Sequence, residues 1–171
     1  PDALTAAALD LLASEGAPQR VSFRVASDGV SEATAEAIIS RCEDAGLDAS
    51  RLCLFVDADL VEADVARARA FGRSLSAAGI GFGLCAAQPR NRLPVMVKMT
   101  SSILVRFDPS AIDALIETDD GIVELARITN VVRERGAEVV LATADPRGRE
   151  HLLAGRAAGL RWEYLETPPA G

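Results

Sequence analysis

The sequence predicts an α/β fold in which about six parallel strands alternate with helices. Short apolar runs alternate with longer segments whose apolar residues recur every third or fourth position, and a glycine follows most of these longer segments. Such alternation implies parallel strands joined by right-handed crossovers. Two architectures fit this pattern: an open doubly wound sheet and part of a (βα)8 barrel. A complete barrel takes eight strands and roughly 250 residues, whereas this chain has 171 residues.

The first half of the chain contains three predicted helices and three predicted strands. The first strand alternates apolar and polar residues, and the next two are apolar runs, as in strands buried on both faces. Ser31 precedes a helical segment and has the side chain of an N-cap. In chain order the elements are a helix over Leu4–Ser14, a strand over Val21–Val25, a helix from Ser31 to Gly46, a strand over Leu52–Val56, a helix over Leu60–Ala78 and a strand over Ile80–Cys85.

The second half contains three more predicted strands and two more helices. A loop over Pro89–Pro94 separates them from the first half. The longer helix is expected to break near Asp119 and to end at Gly136. In chain order the elements are a strand over Val95–Met99, a helix over Ser110–Arg135, a strand over Val139–Ala142, a helix over Arg147–Ala158 and a strand over Trp162–Leu165.

Composition excludes several classes of partner and compartment. The net charge of −7 argues against binding to nucleic acid or to an anionic membrane. Cys42, Cys53 and Cys85 lie far apart without a metal-binding spacing, which predicts buried, reduced thiols in the cytosol. The sequence has no signal peptide and no apolar run of membrane length, so we expect a cytoplasmic chain without direct membrane contact. A start at Pro1 favours a piece of a longer protein, which in turn is either soluble or anchored in a membrane.

Several stretches, in order, resemble sequence patterns of the EAL domain, the family of cyclic-di-GMP phosphodiesterases. They are RVSFRVAS against "lsvNlS", SRLCLFVDADL against "psrLelEiTEs.l", GIGFGLCAAQP against "Gv.iaLDDFGtG", LPVMVKMTSSIL against "lpvd.iKiDrs.v", and AEVVLATADPRG against "vvAEGVEt". The resemblance covers nearly the whole chain. It implies one degenerate EAL-like domain over residues 1–171, folded as an incomplete (βα)8 TIM-type barrel whose opening strands fall before Pro1.

The resemblance also implies that the chemistry of the family is missing. Its enzymes hold two divalent metals with carboxylates and an asparagine at the carboxyl ends of strands, and a glutamate activates water. Such hard cations need oxygen ligands. In this chain the matching positions are Arg24 for the asparagine, Phe55 for a glutamate, Cys85 and Ala86 for two aspartates, and Ala142 for another glutamate. Lys98 aligns as itself, and we interpret it as a barrel-mouth residue paired with Asp57 or Asp145. The chain is therefore predicted to be a pseudoenzyme without cofactor.

One remaining function is a regulatory or protein-interaction module in bacterial signalling. If the barrel lacks its opening strands, Val21–Val25 and Trp162–Leu165 become sheet edges, which invite pairing with another chain. An open barrel interior would also expose apolar surface. We therefore expect a homodimer or a complex with another protein; the alternative is that the N-terminal segment folds over the gap.

The alternative is a non-catalytic cyclic-di-GMP receptor, because inactive relatives in this family bind the dinucleotide without metal. In this chain Arg24, Lys98 and Arg161 are candidates to contact phosphates, and Phe55 or Trp162 to stack on guanine. The acidic net charge and the missing first strand weigh against this alternative.

Overall fold

The computed structural model describes residues 3–14, 20–86, 91–108, 110, 112–143 and 161–164, and gives only the backbone for residues 3–5, 114, 142–143 and 161–164. Within these residues the protein forms one six-stranded, fully parallel sheet whose strands follow each other in chain order. A doubly wound sheet reverses its strand order at a switch point, and this sheet does not. The predicted α/β fold with parallel strands is confirmed, and the order favours the barrel over the open sheet.

Helices join most of the strands. In chain order the elements are α1 (Ala3–Ala13), β1 (Val21–Arg24), a 3₁₀ turn (Ser27–Gly29), α2 (Glu32–Asp44), a second 3₁₀ turn (Ala49–Arg51), β2 (Leu52–Asp57), α3 (Ala58–Ala63), α4 (Val65–Ala77), β3 (Gly81–Ala86), α5 (Leu93–Thr100), β4 (Leu104–Phe107), α6 (Asp113–Ile116), α7 (Asp119–Glu134), β5 (Glu138–Thr143) and β6 (Arg161–Tyr164). The predicted helix over Arg147–Ala158 lies outside the described residues.

Polar caps fix where three of the helices begin. The Ser31 hydroxyl accepts a hydrogen bond from the backbone N–H of Thr34 at 3.1 Å, which confirms the predicted N-cap of α2. Asp64 accepts one from the N–H of Arg67 at 3.0 Å and begins α4. The predicted single helix over Leu60–Ala78 is therefore wrong, because the cap at Asp64 divides it into α3 and α4. Thr118 caps α7 in the same way, so the helix break predicted near Asp119 lies just before that residue.

The prediction of a strand over Val95–Met99 is also wrong, since these residues form most of α5. Pro94 lies in the first turn of the helix, where its missing N–H costs nothing. Ser101 adopts a left-handed conformation (φ 56°) and ends the helix. The strand of this unit comes afterwards as Leu104–Phe107.

The two faces of the sheet are buried in different ways. The face toward the helices carries the main core, to which β2 contributes Leu52, Leu54 and Val56, all 0% exposed. The opposite face carries a separate small apolar cluster, whose members are Cys53, Phe55, Cys85, Leu104 and Val140. In a barrel this second face would be the interior.

The strand register is staggered as a barrel requires. One row of neighbouring residues begins at Asp57, the last residue of β2, and passes through Cys85 and Arg106. It continues through Val140 to Arg161, the first residue of β6. Each strand is thus displaced along its axis relative to the previous one, which tilts the strands as in closed or closing sheets. Within the part of the chain that the structure describes, no helix is long and apolar enough to cross a membrane.

Candidate functional site

Two adjacent register rows bring candidate residues together on the inner face of the sheet, near the carboxyl ends of β1 to β4. Residues that are partners in a parallel register project from the same face. The first row contains Arg24, Phe55, Gly83 and Leu104, and the second contains Asp57, Cys85 and Arg106. The structure therefore places Arg24, Phe55 and Cys85 in one region.

Phe55 fills the centre of this region. Its side chain is fully buried, at 0% exposure. It contacts β3 at Gly83, where an added Cβ would lie 2.6 Å from a ring carbon of Phe55. A second glycine, Gly81, faces Cys53 in the same way, because its Cβ would lie 3.1 Å from the sulfur. Gly83 thus makes the room that the large ring of Phe55 occupies, and Gly81 makes room for Cys53.

Arg106 on β4 completes the aromatic contact. The central carbon of its guanidinium lies 4.6 Å from the centroid of the Phe55 ring, within the range of a cation–π interaction. Its Nε is buried and, among the described residues, has no hydrogen-bond partner. A buried N–H without an acceptor costs about 1–3 kcal/mol. The guanidinium therefore stacks on Phe55, and its buried Nε is an unfavourable feature of this packing.

Sequence reasoning missed Arg106, although a signal for it was present. The stretch VRFDPS at residues 105–110 fits the pattern "iKiDrs" as well as the stretch around Lys98 does, with arginine in place of lysine. Alignment by residue identity favoured Lys98, which the structure places on α5 with an exposed side chain. The interpretation of Lys98 as a barrel-mouth residue is therefore wrong, and Arg106 takes that position on the sheet.

Arg24 and Asp57 form an ion pair at the carboxyl ends of β1 and β2. Arg24 Nη1 donates to Asp57 Oδ1 at 3.2 Å, and the side chains are 56% and 36% exposed. Such an exposed pair contributes about 0–1 kcal/mol. The proposed pairing of Lys98 with Asp57 is thus replaced by Arg24, and Asp145 lies outside the described residues.

Cys85 lies beside this pair as a neutral thiol. Its side chain is 8% exposed. Its pKa is raised to about 11, mainly by burial; the charges of Arg106 and Arg24 lower it, and those of Asp57 and Asp108 raise it. At neutral pH Cys85 is protonated, so it is neither a thiolate nucleophile nor a thiolate metal ligand.

These residues do not fit a pair of divalent metals. The inner face offers guanidinium groups at Arg24 and Arg106, an aromatic ring at Phe55 and a protonated thiol at Cys85. Mg²⁺ and Mn²⁺ prefer carboxylate and other oxygen ligands. Within the described ranges, no group of three or more His, Cys, Asp and Glu residues is arranged to hold a metal ion.

The two remaining candidates lie on the last strand. Arg161 is the register partner of Val140 and so belongs to the row that contains Cys85 and Arg106. Trp162 is the partner of Leu141, one position further along the strand. Arg161 thus has a place in the same row as the site, whereas Trp162 belongs to the row of Leu141, which lies in the helix-facing core and not on the inner face.

Comparison with known proteins identifies the fold. No family model matches the chain, and no curated protein matches it. Among solved structures it is similar to the PaMucR phosphodiesterase in its c-di-GMP complex (TM-score 0.78, 14% identity, covering 94% of this chain and 72% of that chain). It is also similar to the EAL domain of Mycobacterium smegmatis DcpA, with a TM-score of 0.74 and 13% identity, covering 92% of this chain and 72% of that chain. A third similar structure is the Xanthomonas citri FimX EAL domain in complex with c-di-GMP, with a TM-score of 0.79 and 16% identity, covering 92% of this chain and 63% of that chain.

The chain therefore has the fold of an EAL domain, and the prediction of an incomplete TIM-type barrel of this kind is confirmed. It spans 63% to 72% of the length of these three proteins.

Proposed function

We propose that the chain is a catalytically inactive EAL-like module of bacterial signalling that acts by binding and not by hydrolysis. The observation that carries this proposal is the packing of Phe55 against Gly83 and under Arg106. It fills the inner face, at the position that the resemblance assigns to a metal-binding glutamate, with an aromatic ring and a cation. A dication would have to displace both, and Arg24 adds further positive charge nearby.

A regulatory role requires a surface that binds another chain, and the sheet supplies one. Among the described strands β1 pairs only with β2, so it is the edge strand on that side of the sheet, and edge strands are places where another chain can pair. The edge position of β1 supports the proposal that the chain forms a homodimer or a complex with another protein. The three free, buried cysteines, Cys42, Cys53 and Cys85, agree with a cytoplasmic location, where thiols stay reduced.

A second candidate function is metal-independent binding of cyclic-di-GMP at the strand ends. The half-buried Arg106 guanidinium on this face favours it, because guanidinium groups bind phosphate oxygens through paired hydrogen bonds. Arg24 is exposed beside it and is held only by a weak ion pair. Two of the similar structures are complexes with this dinucleotide. Arg106 replaces Lys98 as the candidate contact to phosphate.

The absence of catalysis is tested by incubating the purified chain with cyclic-di-GMP and either Mg²⁺ or Mn²⁺, followed by chromatography of the nucleotides. We expect no linear dinucleotide product. Metal-dependent formation of that product would overturn the proposal.

Binding is tested by calorimetric titration with cyclic-di-GMP, with and without Mg²⁺, at physiological salt. The variant Arg106→Met removes the donor and keeps the length of the side chain, and Arg73→Met on α4 is its matched control. If the receptor function holds, Arg106→Met should weaken binding by about tenfold or more, whereas Arg73→Met should not change it. No heat up to about millimolar ligand would reject the receptor function and leave the protein-interaction role.

A further inference from the structure

A single arginine ties the connection between β1 and α2 to the neighbouring helix α4. We call residues 25–30 the β1–α2 connection; it contains the first 3₁₀ turn. Arg67, in the first turn of α4, donates from Nε to the carbonyl oxygen of Val30 at 2.5 Å and from Nη2 to that of Ser27 at 2.7 Å. Nη2 also donates to the carbonyl oxygen of Asp28 at 3.3 Å. One guanidinium thus reaches three carbonyl groups of the connection.

These contacts involve the positive charge of Arg67 but no carboxylate. Among the described residues Arg67 has no ion pair, and Asp64 accepts only from its backbone N–H. Hydrogen bonds with a charged donor are about twice as strong as neutral ones. Within the connection itself, the N–H of Val30 donates to Ser27 only at 3.4 Å. The shorter, charged bonds from Arg67 therefore hold the end of the connection more firmly than its own backbone bond does.

The connection in turn packs against the end of β1. An added Cβ at Gly29 would lie 3.2 Å from Val25 Cγ1, so the turn lies directly on Val25. Val25 is 6% exposed, and its N–H donates to the carbonyl oxygen of Phe55 at 2.8 Å. That bond extends the pairing of β1 with β2 by one residue beyond Arg24. If the turn left α4, Val25 would lose the packing that covers it, and Val25 follows Arg24 directly in the chain.

We propose that Arg67 is a latch that fixes the β1–α2 connection on α4 and thereby positions Arg24 at the strand ends. The ion pair of Arg24 with Asp57 is exposed, and such pairs are too weak to fix the end of a strand. The contacts of Arg67 supply the constraint that this pair lacks. Because β1 is also the edge strand, the same latch sets the conformation next to the strand-end site and next to the edge.

This inference goes beyond the proposed function, because it concerns the chain without ligand or partner. If cyclic-di-GMP did not bind, or no dimer formed, the latch would be unaffected. If the latch were absent, both candidate functions would still be open to their own tests.

The test is amide hydrogen exchange followed by NMR on the purified chain without ligand. Arg67→Met removes the donors and keeps a side chain of similar length. We expect the amides of Val25, Gly29 and Val30 to exchange about tenfold faster or more, because bonds from a charged donor are lost. Arg67→Lys keeps the charge but replaces the planar fork with one ammonium group, so these amides should exchange about threefold faster or more. This second variant gives the same comparison if Arg67→Met does not fold.

Low concentrations of urea separate a local opening of the connection from unfolding of the whole protein. A local opening exposes little surface, so its exchange rates should not depend on urea, whereas global unfolding does. The reference amides are those of Leu125 and Val132, which are fully buried on α7. We expect their rates to rise with urea in Arg67→Met and those of the connection to stay constant.

The position of Arg24 is measured by the NMR signal of its Nε–H group. This signal should shift in Arg67→Met and should stay in place in the matched control Arg73→Met. Arg73 lies on α4 as well, and its side chain is exposed. The control should also leave the amides of the connection unchanged.

Three results would overturn the inference. One is exchange of the connection amides at the wild-type rate in both Arg67 variants. Another is exchange of these amides with the same urea dependence as the α7 amides, because Arg67 would then stabilise the whole fold and not this connection. The third is an Arg24 signal that does not respond to Arg67→Met, or responds equally to Arg73→Met, because the end of β1 would then be fixed without the latch.

Discussion

The fit between Gly83 and Phe55 can be tested by substituting both residues singly and together. An added Cβ at Gly83 would lie 2.6 Å from the Phe55 ring and 3.0 Å from the carbonyl oxygen of Leu104. Carbon atoms in favourable contact are about 3.5–4.0 Å apart, so Gly83→Ala must push the ring outward. We expect the single variant to lose about 1–3 kcal/mol of unfolding free energy through overpacking.

The substitution Phe55→Ala should cost about 3–5 kcal/mol, since it leaves a cavity on the inner face. It also removes the ring beneath the Arg106 guanidinium, which adds about 1 kcal/mol. Once the ring is gone, the methyl group introduced by Gly83→Ala fills part of the cavity. We therefore expect Gly83→Ala to cost less in the Phe55→Ala background, where only the close contact with the Leu104 carbonyl oxygen remains, and the difference is a coupling of about 1–3 kcal/mol between the two sites.

The assay is urea unfolding followed by far-UV circular dichroism, with the free energies compared at constant slope. Gly81→Ala is the control, because its added Cβ would meet Cys53 at 3.1 Å and not Phe55. The loss of unfolding free energy caused by Gly81→Ala should be the same with and without Phe55. If Gly83→Ala costs equally much in both backgrounds, the ring does not occupy the space above Gly83 and the account of the inner face is refuted.

Three further predictions concern other parts of the protein. Thr129 on α7 is fully buried and its hydroxyl has no partner among the described residues, so Thr129→Val should stabilise the protein by about 1 kcal/mol; an unchanged or lower urea midpoint would contradict this. The Cys85 thiol has its pKa raised to about 11, above the ordinary value of 9.0 that it regains on unfolding. The folded state therefore retains the proton between these values, and the stability of the wild type relative to Cys85→Ala should be constant below pH 9 and fall as the pH rises towards 11; pH-independent urea midpoints would refute it. Gly121→Ala would bring a Cβ within 2.1 Å of the Leu115 carbonyl oxygen, so it should cost more than about 2 kcal/mol, and a melting temperature within a few degrees of wild type would show that α6 moves freely.

The α/β alternation was predictable because the periodicities of strands and helices differ. The exception is α5, part of which was predicted to be a strand, and it shows where this signal fails. In LPVMVKMT the buried positions are Leu93, Pro94, Met96, Val97 and Thr100, which is helical spacing. The exposed Val95 and Met99 lie between them and make the segment look like an apolar strand. The following strand, LVRF, has only four residues and contains an arginine, so it resembled a loop.

The candidate site was predictable to the extent that the strands were. Arg24, Phe55 and Cys85 lie in the second halves of strands that were assigned correctly, and the parallel register then brings them together. Arg106 was missed because its strand was missed. The contacts of the Phe55 ring with Gly83 and with Arg106 depend on packing across three strands, and no local pattern contains that information.

The order of strands in the sheet has a consequence for biosynthesis. Every strand from β2 to β6 pairs with the strand made immediately before it, and the register partners Leu104 and Glu138 are among the most widely separated along the chain. A nascent chain leaving the ribosome at about 5–20 residues per second needs only a few seconds to deliver each new strand to an edge that already exists. The sheet can therefore grow in one direction during translation, without waiting for a distant segment. Each intermediate exposes one fresh edge for those seconds, and that interval is when a chaperone or a neighbouring nascent chain would have access to it.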